Sequence, residues 1–177
     1  GDPWQGPFGD PRAWPAYRSL FNEWIDDEAA PAVLTQALPA LMGGVGAAAF
    51  HGPIRTAYAI AAGHSHELSD ALAYWACRWF ALGAPHTAGR DCDAAAVLAR
   101  LNLAKPRQPL IAERMLQVAM KPAFANIASS FRIDDPDSTL AQLAALAARL
   151  FAASDNFTVL HLVTSAHAMR VLLPWLD

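Results

Sequence analysis

The alanine-rich stretch AAAFHGPIRTAYAIAAG, residues 47–63, carries a histidine, an arginine and a tyrosine within an apolar segment. Alanine is the strongest helix former, and a closing glycine is typical of a helix end. We therefore expect a helix from about Val45 to the last glycine of the stretch. On this helix His51, Arg55 and Tyr58 are spaced by four and then three residues, so they share one face.

The rest of the chain shows the same helical periodicity, interrupted by glycine and proline. Ser65 is the expected N-cap of the helix that follows the opening stretch. On that helix Leu68, Leu72, Trp75 and Trp79 form an apolar stripe, which indicates core rather than a cofactor site. The predicted helices cover about 11–27, 30–41, 45–63, 65–83, 92–103, 109–120, 122–131, 137–153 and 157–173.

No segment alternates as a half-buried strand would. The sequence therefore predicts an all-α fold, a helical bundle or an orthogonal helical array. The chain has 177 residues, of which 54% are hydrophobic and 16% charged. This composition favours one domain over residues 1–177. The chain starts without an initiator methionine or a signal peptide, so we expect it to be the C-terminal part of a longer protein.

The charge and the cysteine content of the chain indicate which binding partners and which cellular compartment to expect. The net charge is -3 and the basic residues form no run, so neither nucleic acid nor an anionic membrane surface is an expected partner. The longest uncharged apolar stretch, residues 37–50, is shorter than the roughly 20 residues of a membrane span. Cys77 and Cys92 lack metal-site spacing and indicate reduced thiols in a cytoplasmic protein. Nothing in the sequence specifies an oligomeric state.

Two interpretations of the polar face at 51, 55 and 58 stay open. The face can be solvated, or its histidine and arginine can bond backbone carbonyls. Alternatively, a histidine beside a fixed cation is an acid/base group next to an anion-stabilising group, which is typical of a catalytic pair.

The last helix, in NFTVLHLVTSAHAMRVLLPWLD (156–177), repeats this pattern. His161, Thr164 and His167 cover about 120° of its circumference, so they can line a cavity, or they can be core groups bonded to nearby carbonyls. We expect His51 and His161 to lie near each other across one concave site. No HExxH or ExxH pair is present, so we assign no metal ligands, although His51, His161 and His167 could bind a metal if their helices abut.

Four segments resemble the questin oxidase-like family: GDPRAWPAYRSLF (9–21), AAAFHGPIRTAYAI (47–60), ELSDALAYWACRW (67–79) and FTVLHLVTSAHAMRVLLP (157–174). The resemblance covers nearly all of the chain. Members of the family usually carry a further N-terminal helical segment with an Asn-His element that this sequence does not contain.

This resemblance implies NADPH-dependent, Baeyer-Villiger-type monooxygenation of an aromatic or quinone-like substrate. The matching polar residues are His51, Arg55, His161, Thr164 and His167. We assign His51, Arg55 and His161 as catalytic. We assign Tyr58, Thr164 and His167 to substrate binding.

The chain has no GxGxxG motif, so neither a flavin nor a nicotinamide site is visible. One hypothesis is substrate assistance, in which a hydroquinone formed by NADPH reduction reacts with oxygen itself. His51 or His161 would then act as base, Arg55 would hold the anion, and Thr164 and Tyr58 would position it. The alternatives are a non-enzymatic helical protein that binds an aromatic or lipid-like ligand, and a metal-dependent oxygenase that uses the histidines.

Overall fold

A computed structural model describes residues 1–83, 89–100 and 108–176. It contains nine α-helices and is 74% helical, and these described residues form no strand or sheet. The predicted all-α class is confirmed. His86, which follows the predicted helix 65–83, lies outside the described residues.

The α-helices are numbered in chain order over the described residues. They are α1 (Trp14–Glu28), α2 (Ala30–Met42), α3 (His51–Ala62), α4 (Ser65–Cys77), α5 (Ala94–Ala99), α6 (Ile111–Ala119), α7 (Pro122–Ser130), α8 (Pro136–Ser154) and α9 (Phe157–Leu172). Single 3₁₀ turns cover Pro3–Gln5, Pro11–Ala13 and Leu173–Trp175.

The chain divides into two compact units. The first unit comprises Gly1–Ala81 and His167–Asp177, and the second comprises Leu82–Ala166. The expectation of a single domain over residues 1–177 stays a prediction.

Helix α4 is the centre of the first unit, where it packs against both α1 and α3. Leu68, Leu72 and Trp75 of the predicted apolar stripe are buried in α4, and Trp79 lies beyond the end of the helix, partly buried against the same core. The interpretation of this stripe as core is confirmed. Ala73 and Ala76 of the same helix are also fully buried. Their small side chains let neighbouring helices approach closely, which explains the high alanine content of this part of the chain.

The N-terminal segment adds an aromatic layer to this core. The rings of Trp4 and Phe8 pack edge to face, with centroids 5.1 Å apart, and Phe8 stacks on Trp79 at 5.7 Å. The Tyr17 hydroxyl on α1 donates a hydrogen bond to the Trp4 carbonyl at 2.9 Å. Burial of Tyr17 raises the pKa of its hydroxyl to about 12. The segment before α1 is therefore part of the folded unit.

The predicted helix start at Val45 is wrong, because α3 begins at His51. Ahead of it, Ala48, Ala49 and Phe50 have left-handed backbones, with φ of 46°, 60° and 66°. Instead of forming a further turn of α3, the backbone before this left-handed turn makes hydrogen bonds with residues at and just beyond the end of α4. The Gly44 carbonyl accepts from the Trp75 indole N–H at 3.0 Å. The Gly46 N–H donates to the Phe80 carbonyl at 3.2 Å.

These tertiary hydrogen bonds override the helix propensity of the alanines. Each left-handed alanine costs roughly 1 to 2 kcal/mol relative to the right-handed form. Gly44 also lies directly against the Trp79 ring, where a Cβ would collide with the indole. Gly43 and Gly44 thus permit a close approach to Trp79 that residues with a Cβ would prevent.

Helix α4 also differs from its prediction at both ends. Its N-cap is His64, and Ser65 is the first helical residue, so the predicted cap is wrong by one position. It ends at Cys77 and not near Gly83. The reason is the pairing of Phe80 with Val45 in an isolated β-bridge, which requires extended backbone. The remaining helices of the first unit agree with their predicted ranges within about three residues.

The second unit contains α5 to α8 and the first part of α9. Helix α5 packs against α7 and α8, and α6 packs against α7. Asp93 and Asp135 cap α5 and α8 by accepting backbone N–H groups. The predicted helix over 92–103 is shorter, at Ala94–Ala99, and residues 101–103 lie outside the described residues. Within the described ranges, no helix combines the length and apolar character needed to cross a bilayer.

Candidate functional site: the groove between α3 and α4

The outer face of α3 carries the histidine, the arginine and the tyrosine of the opening stretch. His51, Arg55 and Tyr58 are all exposed, and 54% of the Tyr58 surface is accessible. The opposite face is buried, with Thr56 fully excluded from solvent and Ala57 at 1% exposure. The shared polar face predicted from the spacing therefore exists, and it lies at the surface of the first unit.

A groove of about 310 Å³ runs between α3 and α4, and we call it the α3–α4 groove. Its lining residues are Arg55, Tyr58, Ala59, Ala62, Glu67 and Ala71. The two helices are antiparallel, because Arg55 contacts Tyr74 while the helices join at the short turn after Ala62. The three alanines have short side chains, so the surface of the groove between the polar groups is apolar and does not project. A flat apolar ligand can therefore lie along the groove.

Arg55 is held over an aromatic ring. Its Cζ atom lies 4.7 Å from the centroid of the Tyr74 ring on α4, a cation–π contact. Such a contact contributes about 0.5 to 1 kcal/mol at an exposed position. Arg55 makes no hydrogen bond or ion pair with any residue that the structure describes. Its N–H donors are therefore available to a ligand in the groove.

Tyr58 and His167 bring the last helix to the same face. Their ring centroids are 5.9 Å apart with an angle of 43° between the planes. Both side chains are exposed, and neither is hydrogen-bonded to another residue in the described ranges. Three of the predicted site residues, Arg55, Tyr58 and His167, are thus brought together on the first unit.

His161 and Thr164 belong to the part of α9 in the second unit. His161 is only 7% exposed, and its Nδ1 lies 3.0 Å from the Phe157 carbonyl. The Thr164 hydroxyl donates to the Leu160 carbonyl at 3.2 Å. These contacts within one helix agree with the interpretation of Thr164 and His161 as groups bonded to backbone carbonyls. The shared site of His51 and His161 stays a prediction.

Two residues of the groove were not assigned to the site from the sequence. Tyr74 supports Arg55, and Glu67 lines the groove near the start of α4. Both lie on the polar face of α4, one turn on either side of Asp70, which instead forms an ion pair with Arg18 of α1 at 2.7 Å. The short connection between α3 and α4 could have placed Tyr74 and Glu67 near this face, because helices joined by a short connection pack as antiparallel neighbours.

A metal site formed by His51, His161 and His167 is one alternative that the sequence leaves open. Among the residues that the structure describes, no group of three or more His, Cys, Asp or Glu side chains is close enough to hold a metal ion.

The described residues define a protein of the all-α class. The groove, with its apolar floor and its charged and polar side chains, is a candidate site on this fold. The chain belongs to the questin oxidase-like family, whose sequence profile matches residues 1–177, the whole chain. The resemblance of the four segments is thereby confirmed. Among curated proteins and solved structures, none matches the chain. The name of the family suggests an oxidoreductase.

Proposed function

We propose that this protein is an oxidoreductase that oxidises an aromatic or quinone-like small molecule bound in the α3–α4 groove. The observation that carries the proposal is the uncommitted Arg55 guanidinium, held over the Tyr74 ring beside an apolar floor. Membership in the questin oxidase-like family supports the reaction class.

The groove suits a flat ring that carries an oxygen substituent. Ala59 and Ala71 provide an apolar surface, and their side chains are too short to hold an aromatic ring away from it. Arg55 can donate two N–H bonds to one oxygen acceptor, which a lysine at this position could not do in the same geometry. Tyr58 supplies a hydroxyl at the rim, and His167 lies beside it. Binding therefore orients the oxygen substituent towards Arg55.

The chemistry we propose begins with removal of the proton from that oxygen. His51 is the base, because it lies one helical turn from Arg55 on the same exposed face. Arg55 stabilises the resulting phenolate, whose electron-rich ring is the species that reacts with oxygen. The roles predicted for His161 and Thr164 stay predictions.

Besides the oxygen, a monooxygenase reaction consumes two electrons, and NADPH is the donor that the family resemblance implies. In the proposed reaction a hydroquinone substrate, reduced before it binds, carries these two electrons itself, so that one oxygen atom enters the ring and the other leaves as water. Its pyrophosphate and additional phosphate call for several cationic side chains or backbone donors. The α3–α4 groove is lined by one guanidinium and one carboxylate. The groove therefore does not fit NADPH, and we derive no step through NADPH there.

The proposal is tested by measuring oxygen uptake and ligand binding on the purified chain with 2,6-dihydroxynaphthalene and NADPH. We expect uptake above the spontaneous rate, with a loss of tenfold or more in Arg55→Met. Arg149→Met is the matched control, because Arg149 is an exposed arginine on α8. Binding without oxygen uptake would favour the non-enzymatic ligand-binding alternative. Binding that is equal in Arg55→Met and the wild type would place the ligand outside the groove.

A further inference from the structure

Glu67 is the second charged residue that lines the α3–α4 groove. It lies in the first turn of α4, is exposed, and makes no hydrogen bond or ion pair with another described residue. Its carboxylate is therefore available to a ligand, as the Arg55 guanidinium is.

The two charges are at opposite ends of the groove. Arg55 is near the start of α3 and Glu67 is near the start of α4, and these ends are far apart because the helices are antiparallel. Arg55 and Ala62, both of which line the groove, are separated by about 10 Å along the axis of α3 at 1.5 Å per residue. Glu67 lies at the Ala62 end, just beyond the connecting turn.

A carboxylate accepts hydrogen bonds and repels anions. A hydroxyl group at the far end of a ligand can donate to Glu67, and this bond to a charged acceptor is stronger than one between neutral groups. An anionic group at the same end would face a like charge over a low-dielectric alanine surface, which disfavours binding.

We propose that Glu67 determines specificity by selecting aromatic ligands that carry a hydrogen-bond donor at the end opposite the oxygen bound by Arg55. The inference rests on the proposed function of the groove. Glu67 disfavours ligands that are anionic at both ends, even though Arg55 alone would attract them.

The test compares two probes of the same ring system, 2,6-dihydroxynaphthalene and naphthalene-2,6-dicarboxylate. Both are symmetric, so neither can avoid Glu67 by reversing its orientation. We expect the wild-type chain to bind the dihydroxy probe more tightly. In Glu67→Gln the dihydroxy probe should bind about two- to fivefold more weakly and the dicarboxylate about two- to fivefold more tightly, the range for an exposed charge interaction. The gain for the dicarboxylate should shrink as the salt concentration is raised.

Glu113→Gln is the matched control, because Glu113 also lies in the first turn of a helix, α6, and is exposed. It should leave both affinities unchanged. If Glu67→Gln leaves both affinities unchanged while Arg55→Met weakens both, the role of Glu67 is refuted. The α3–α4 groove would then still be supported as the binding site. If neither probe binds, or if Arg55→Met changes neither affinity, the groove is refuted as the binding site and the specificity role fails with it.

Discussion

Arg55 on α3 and Tyr74 on α4 are joined across the groove by a cation–π contact, with the Arg55 Cζ atom 4.7 Å from the ring centroid. The contact limits the orientations of a side chain that otherwise has several rotatable bonds. Because Tyr74 is half-buried on the central helix of the first unit, the guanidinium is positioned before any ligand arrives. Such preorganisation reduces the entropy that binding must overcome.

Replacement of Arg55 by lysine should weaken binding without unfolding the protein. Lys provides a point charge and loses the planar fork, so we expect affinity for 2,6-dihydroxynaphthalene to fall about fivefold, as for loss of one charge-assisted hydrogen bond. The melting temperature should change little, because Arg55 is exposed and makes no ion pair with the described residues. Calorimetric titration and thermal melting check both parts, with Arg149→Lys as the control. Unchanged affinity together with a large loss of stability would make Arg55 a structural residue.

Replacement of His51 by glutamine should remove oxygen uptake while ligand binding persists. A positioned general base contributes about 10² to 10⁴ in rate, so we expect uptake to fall at least a hundredfold. Affinity should stay within about threefold, because the main polar contact of the ligand is with Arg55. His64→Gln, an exposed histidine at the start of α4, is the control. Full activity in His51→Gln would remove the base from this position and leave His161 as the next residue to replace.

Gly52→Ala should destabilise the first unit although alanine is the better helix former. A Cβ at Gly52 would lie 2.7 Å from Cγ of the buried Trp75 ring, so α3 must move away from α4. We expect the free energy of unfolding to fall by about 1 to 3 kcal/mol, as for an overpacked core. Denaturant unfolding measures this difference.

Gly6→Ala is the control for that substitution. Its new Cβ would meet only the Pro3 carbonyl oxygen, at 3.4 Å, and its φ of -54° suits any residue. A change of less than about 0.5 kcal/mol is expected there. Equal effects of the two substitutions would contradict the tight contact between Gly52 and Trp75.

Tyr17 should make the stability of the protein fall in alkaline solution. Burial raises the pKa of its hydroxyl from an ordinary value of 10.0 to about 12, so the folded state favours the protonated form. The contribution is complete below pH 10 and is lost as the pH rises towards 12. Tyr17→Phe should flatten the stability curve between these values. At pH 7 it should cost about 1 kcal/mol, because the hydrogen bond to the Trp4 carbonyl is lost.

Denaturant unfolding at several pH values measures the effect of Tyr17. A Tyr17→Phe curve with the wild-type slope would show that other groups cause the alkaline loss.

Helical periodicity was enough to predict the fold class, because apolar stripes such as that of Leu68, Leu72 and Trp75 are local patterns. The prediction failed where a tertiary contact overrides a local preference. Val45 belongs to an alanine- and glycine-rich stretch, and nothing in that stretch shows that its neighbours bond to Trp75 and Phe80. The end of α4 was missed for the same reason, since Phe80 pairs with Val45.

The sequence predicted only those features of the candidate site that depend on spacing within one helix. Spacing alone placed Arg55 and Tyr58 on one face of α3. Tyr74 and Glu67 become part of the site through the pairing of α3 with α4, which no pattern within one helix contains. The proximity of Tyr58 and His167 likewise depends on packing between residues more than a hundred positions apart.

The left-handed turn Ala48–Phe50 limits how this part of the sequence can vary over time. Alanine tracts usually exchange freely with valine, threonine or serine, but at these positions a β-branched residue would add a steric penalty to a backbone that already disfavours alanine. Changes of Ala48 or Ala49 to glycine, by contrast, would relieve the strain. Substitutions that persist in this tract should therefore be mainly to residues that accept a left-handed backbone. The alanine tract looks unconstrained in the sequence, but we expect it to tolerate few other substitutions.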